Sequence, residues 1–192
     1  EKKVKYVPPK KDVLEVISNA DPETQDYLWV IVLTMGRMSE INNLTWDDIN
    51  FKNKTVTLYT RKKKGGNKTP RHIPMNEKLL GILERRYVGR NHDINCIFWH
   101  RYWSTKKNEW VCGPYIDRKK IMKTLCNKAN VPYFRFHALR HFGASSLDQR
   151  NTPIASIQKL LGHESRITTE IYLHSINETE KIAMDVLNNE FN

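Results

Sequence analysis

Cysteine is scarce in this chain and follows no pattern: Cys96, Cys112 and Cys126 in 192 residues. The odd number and the lack of a CxxC pair exclude a disulfide scaffold and a zinc knuckle, and fit a reducing compartment. No apolar run approaches the ~20 residues that cross a bilayer. HExxH spacing and paired-carboxylate clusters are missing as well, so no metal site is expected. Asp47-Asp48 comes closest and reads as a turn. The opening stretch, EKKVKYVPPKK, has no apolar core and is no signal peptide. Residues 1–10 read instead as a linker stiffened by Pro8-Pro9.

What the chain has in excess is positive charge. Thirty-two Lys and Arg stand against 21 Asp and Glu, for a net +11. That balance favours a polyanionic partner. Nucleic acid fits better than anionic lipid, because no strongly amphipathic basic helix is present. With 39% apolar and 28% charged residues, the chain has the make-up of one globular domain with its own core.

The pattern along the chain predicts a mainly α fold with one small antiparallel sheet (α+β). A helix is predicted over residues 11–20. Asp21 then caps a second, with Pro22 in its first turn, apolar nearly all round and broken at Gly36. A short helix follows from Met38. Residues 55–60 alternate as a strand and residues 71–74 form a second. Between them RKKKGGNKTP makes a basic hairpin tip. Helices are predicted over 75–88, from Gly113 to about residue 130, over 136–149, 154–161 and 165–173, with an amphipathic one over 181–191. The aromatics within 101–112 are expected to close an edge of the core. On the helix after Gly113, Arg118, Lys119, Lys120 and Lys123 crowd one face, a candidate contact for phosphates.

The most informative stretch runs from Phe134 to Ser175, FRFHALRHFGASSLDQRNTPIASIQKLLGHESRITTEIYLHS. His137 and Arg140 lie three apart on one helical face. His163 follows the Gly162 helix stop, and Tyr172 comes nine positions later. Each has an ordinary explanation by itself: a helix pair, a residue after a glycine, a half-buried tyrosine. Together, in a basic chain, they suit attack on a phosphodiester. Two arginines can hold the non-bridging oxygens bidentately and an imidazole can add a bond. Arg37, after Gly36, supplies the second arginine, and Glu40 one turn on can orient it. Tyr172 would be the nucleophile, with its phenolate favoured by cationic neighbours. A hairpin lysine would protonate the leaving 5′-hydroxyl. A phosphotyrosyl ester conserves the bond energy, so no nucleotide cofactor is needed.

These residues resemble the catalytic domain of the tyrosine recombinases, the phage-integrase family. The family's arginine motif stands as TMGRMSEINNL, with Met-Gly where Gly-Leu is usual before Arg37. Its H-x-x-R motif stands as HALR (His137, Arg140), its L-G-H motif as LLGH (His163), and its T-T-x-x-Y motif as TTEIY (Tyr172). The ordered combination spans nearly the whole chain, and is far more specific than any one motif. The resemblance implies a catalytic lysine on the hairpin. Counting from the first strand gives Lys62, and counting back from Ile73-Pro74 gives Lys64. Lys63, of the opposite strand parity, would face DNA with Arg118, Lys119 and Lys123. His141 and His174 are left to structural roles.

The resemblance also implies a missing N-terminal core-binding domain ahead of the 11–192 catalytic domain, and a C-terminal helix 181–191 that packs on a neighbouring protomer. It implies strand cleavage and rejoining through a 3′-phosphotyrosine, without metal or cofactor. The implied partner is double-stranded DNA bound as a homotetramer, with no membrane and no small-molecule substrate. The setting would be the cytoplasm, on the nucleoid, for a prokaryotic or phage-encoded protein. A type IB topoisomerase-like nicking-closing enzyme and a DNA-binding module without catalysis are the alternatives.

Overall fold

A computed structural model describes residues 6–61 and 67–174. The order is α1 (Lys10–Ser18), α2 (Pro22–Thr34), α3 (Met38–Asn42), a 3₁₀ turn (Trp46–Asp48), β1 (Ile49–Asn50), β2 (Thr55–Arg61) and β3 (Lys68–Pro74). After these come α4 (Glu77–Val88), β4 (Trp99–Ser104), β5 (Glu109–Pro114), α5 (Lys119–Lys128), α6 (Phe136–Asp148), α7 (Ile154–Leu161) and α8 (Arg166–His174). The class is the expected one, mainly α with antiparallel β. Among the described residues no helix is long and apolar enough to cross a membrane.

Helix α2 is the axis of the core. Asp21 caps it by accepting from the Thr24 amide, and Tyr27, Leu28, Val30 and Ile31 are all sealed from water. Residues are buried all round the helix, because α1, α3, α4 and α6 pack against it from several sides. Tyr27 lies edge-on to Phe98 and Phe136, and its hydroxyl donates to Asn42 Oδ1 at 2.6 Å. The helix stops one residue before the expected break. Met35, not Gly36, takes the left-handed conformation (φ 49°), and Gly36 lies too close to the Ile41 side chain to carry a Cβ.

The sheet β1-β2-β3 is antiparallel and pairs Val56 with Ile73, Leu58 with Arg71 and Thr60 with Thr69. Period-two alternation puts Val56, Leu58, Thr60, Arg71 and Ile73 inside. β3 starts at Lys68, three residues earlier than predicted. The lysines at 62, 63 and 64 and the 181–191 helix lie outside the described residues.

A second hairpin, β4-β5, is new. The helix predicted from Gly113 begins only at Lys119, because 109–114 pair with 99–104 instead. Tyr102, Trp103 and Trp110 stand partly exposed on this hairpin and do not close the core edge. Trp103 and Trp110 face each other across the register at 5.8 Å, so each tryptophan covers the other.

Helix α6 crosses the end of α2 at close range. A Cβ on Gly143 would stand 2.8 Å from Met35 Cγ and 3.2 Å from the Val32 carbonyl oxygen. Gly143→Val should therefore destabilise the domain by about 1–3 kcal/mol. A urea melt with an unchanged midpoint would contradict this packing.

Candidate active site

Two helix ends meet here, and buried guanidinium groups cap both. Arg140, on α6, is 1% exposed. Its Nη1 donates to the Met35 carbonyl just past α2, and its Nη2 to the Leu161 carbonyl at the end of α7, both at 2.6 Å. A cation at a helix C-terminus is favoured by the free carbonyls there. Burial and the nearby Arg37 charge pull Arg140 down to about 10, so it stays ionised at neutral pH.

Gly162 follows α7 in the left-handed conformation (φ 67°). That turn aims His163 back at Arg140. His163 Nε2 lies 3.4 Å from Arg140 Nη2, and its Nδ1 lies 3.1 Å from Thr169 Oγ1. An arginine can only donate, so Nε2 holds the lone pair and Nδ1 carries the proton toward Thr169. Burial, then the charges of Arg140 and Arg37, push the imidazole down to about 4. It is neutral at pH 7.

Helix α8 presents Thr169 and Tyr172, three apart, to the same place. The Tyr172 ring is 5.3 Å from His163 and 4.8 Å from His141, and His141 meets His137 edge-on at 4.6 Å. Tyr172 is 7% exposed. Its phenol departs from the sequence expectation. Burial raises it to about 12, outweighing the charge and hydrogen bond of Arg140 and the charge of Arg37. The free protein therefore holds a neutral phenol, and not a phenolate.

Arg37 stands at the start of α3, with its side chain partly open to solvent. Its Nη1 donates to Glu40 Oε1 at 2.9 Å and its backbone N–H to Oε2 at 2.8 Å. Glu40 thus orients Arg37 as the sequence suggests, but it does more. Arg71 meets the same carboxylate in a two-pronged pair, Nη1 to Oε1 at 2.9 Å and Nη2 to Oε2 at 2.7 Å. Thr60 Oγ1 donates to Oε1 at 2.7 Å. Arg71 Nε reaches across to the Leu160 carbonyl at 3.1 Å. Burial raises the Glu40 carboxyl, but the Arg71 bond and charge prevail and hold it at about 2.

Sequence reasoning missed Arg71, Thr60 and Thr169. Strand parity carried the signal for Arg71. It alternates with Ile73 on an inward face, and a charged residue there has to be paired.

A cleft of about 820 Å³ opens against this cluster, lined by Arg37, Glu40, Thr60, Lys68, His163 and Thr168 among others. A second cleft, of about 500 Å³, shares Arg37 and is lined by His137, Lys119, Tyr133 and Arg135 among others. So Arg37, Arg140, His163 and Tyr172 are brought together, and His137 lies beside them on the second cleft. Lys119 and Lys123 are exposed on α5. Arg118 is not free on that face, as the sequence had suggested. Its guanidinium lies 4.5 Å from the Tyr27 ring centre and 4.0 Å from that of Tyr115, and it donates to Thr24. The rings of the buried Tyr27 and the half-buried Tyr115 draw it inward.

Residues 9–179 match the phage integrase family across this whole constellation. The chain belongs to that family. It is 33% identical to the tyrosine recombinase XerA of Pyrococcus furiosus, over 93% of this chain and 59% of that one. It is 29% identical to a XerC-like tyrosine recombinase of Caldanaerobacter subterraneus, over 81% of this chain and 46% of the relative. The chain thus spans about half the length of these curated relatives. A XerA recombinase crystal structure superposes with a TM-score of 0.74 at 21% identity, covering 98% of this chain and 66% of that one. The catalytic domain of bacteriophage HP1 integrase gives 0.61 at 16% identity, covering 93% of each. The tyrosine recombinase catalytic fold is therefore the fold of this chain.

Two titrations follow from the site. His163 has a folded pKa below its unfolded value, so its contribution to stability is present above about pH 6.5 and is lost as pH falls toward 4. Glu40 is likewise depressed, so its contribution is present above about 4.5 and is lost toward pH 2. Thermal midpoints should therefore decline in acid in two successive stages, and the His163 ring should titrate by NMR near pH 4. A His163 midpoint near 6.5 would contradict the buried neutral imidazole. Glu40→Gln should lose about 3–5 kcal/mol at pH 7, because it strands Arg71, and should flatten the lower stage.

Proposed function

We propose that this chain is the catalytic domain of a site-specific DNA recombinase that cleaves and rejoins strands through a covalent 3′-phosphotyrosyl intermediate. The observation that carries this reading is the convergence of four separated motifs: Arg37 and His163 line one cleft, and the buried Arg140 and Tyr172 lie against His163 behind it. The scissile phosphate of double-stranded DNA would enter beside Arg37. Arg37 and Arg140 would hold its non-bridging oxygens, where charge builds as phosphorus becomes five-coordinate. Tyr172 Oη attacks phosphorus and the bond to the 5′-oxygen breaks.

Proton bookkeeping follows from the protonation states. Tyr172 starts neutral and has to lose its proton during attack. His163 is neutral, and its Nε2 lone pair, which faces Arg140 in the free protein, would accept it once Arg140 turns to the phosphate. The leaving 5′-oxygen needs a proton, and a lysine of the hairpin tip, Lys62 or Lys64, is assigned to give it. Attack of a 5′-hydroxyl on the phosphotyrosine reverses each transfer and rejoins the strand. No metal is needed in this scheme, because the cationic side chains supply the charge. Lys119, Lys123 and Lys63 are assigned to the DNA backbone, and a tetramer on paired sites is the assembly that would exchange strands.

The test is trapping on nicked suicide duplexes drawn from the DNA flanking the gene. Wild-type protein should form a covalent adduct and Tyr172→Phe none. Absence of an adduct on every such duplex would overturn the reading. Arg140→Ala should lower adduct formation by about 10²–10³-fold or more, while DNA affinity changes by a few-fold, since many Lys and Arg share the phosphate contacts. Equal losses of binding and cleavage would contradict the assignment. Relaxation of supercoiled plasmid without any specific site would favour the topoisomerase-like alternative.

A further inference from the structure

Glu40 makes more bonds than orienting Arg37 requires. From the described residues its carboxylate accepts five: three on Oε1, from Arg37, Thr60 and Arg71, and two on Oε2, from the Arg37 backbone and Arg71. Among the described residues Arg71 alone presents its fork to both oxygens. Arg37, the more open of the two, is left a single side-chain bond to this carboxylate, through Nη1. A carboxylate without Arg71 would take the next guanidinium as its two-pronged partner, and among the described residues Arg37 is already bonded to it.

Arg71 also ties together the two halves of the site. Its Nε holds the Leu160 carbonyl one residue before the Leu161 carbonyl that Arg140 holds. Its Cδ would lie 3.0 Å from a Cβ on Gly162, the residue whose left-handed turn aims His163. The same side chain thus fixes the Glu40 carboxylate behind Arg37 and the strand-side face of the turn before His163.

We infer that Arg71 is a positioning residue for strand cleavage: by saturating Glu40 it keeps Arg37 available to the scissile phosphate, and by bracing the end of α7 it sets His163 in register with it. This rests on the recombinase reading above. It assigns Arg71 no contact with DNA. Its role is to stop an internal carboxylate from competing with the phosphate for Arg37, which a bulky neutral side chain cannot do.

Single-turnover adduct formation on a suicide duplex that wild-type protein cleaves, at saturating DNA, measures this directly. Arg71→Met should cleave about 10²-fold more slowly, with the DNA dissociation constant within about three-fold of wild type. The decisive variant is the double substitution Arg71→Met with Glu40→Gln. Removing the carboxylate charge frees Arg37 again, so the double variant should cleave at least about ten-fold faster than Arg71→Met alone. A purely architectural Arg71 predicts the reverse, a double variant equal to or slower than the single. Should Arg71→Met fail to fold by circular dichroism, Arg71→Lys keeps the charge but loses the fork, and should cleave about ten-fold more slowly at unchanged affinity. Wild-type rates from Arg71→Lys, or no rescue in the double variant, would overturn the inference. Failure of the wild-type protein itself to form adduct would instead overturn the recombinase reading.

Discussion

A carboxylate shut away from water stays charged only where enough donors replace the water it lost. Glu40 meets that condition with two guanidinium groups, a hydroxyl and a backbone amide. The donors come from α3, β2 and β3, and Arg71 carries the link on to α7. The consequence is architectural. A small sheet and two helix ends are fixed relative to one another by one buried charge. Losing Glu40 itself would leave the buried Arg71 uncompensated, which costs far more than the net worth of the pair.

Arg140 performs the parallel task on the other side. It bonds the carbonyls left open by α2 and α7, so a cation is held in a site with almost no exposure. Its reward is electrostatic. In a poorly hydrated pocket its charge acts strongly on its neighbours, adding to the burial that keeps His163 neutral and partly offsetting the burial of Tyr172. A site built this way carries positive charge before any phosphate arrives and need not reorganise to stabilise the charge that develops. The neutral phenol of Tyr172 fits the proposed reaction, in which it would give up its proton only as a phosphate is attacked.

Much of this was legible in the residues. The capped, all-round apolar α2 could be read from Asp21-Pro22 and the run after it. The β2-β3 hairpin followed from alternation and Gly65-Gly66. Arg37, His137, Arg140, His163 and Tyr172 stood out as motifs, and Glu40 as a partner one turn from Arg37. Other features were not legible. The β4-β5 hairpin lacks a clean period, because Tyr102, Trp103 and Trp110 put aromatic rings on partly exposed positions where apolar character does not mean burial. Arg118 looked like one more cation on a basic face, and only the packed rings of Tyr27 and Tyr115 draw it inward.

The sequence by itself determined which groups are present, the helices and hairpin that carry them, and through the ordered motifs the family to which the chain belongs. Those are local properties, set by periodicity, caps and residue type. The protonation states and the service of Arg71 were decided by the tertiary structure alone. A pKa depends on how far water is excluded and which charges lie within a few ångströms, and both come from segments far apart in the chain. Arg71 is 31 positions from Glu40 and 89 from Leu160, and only the closed fold brings all three together.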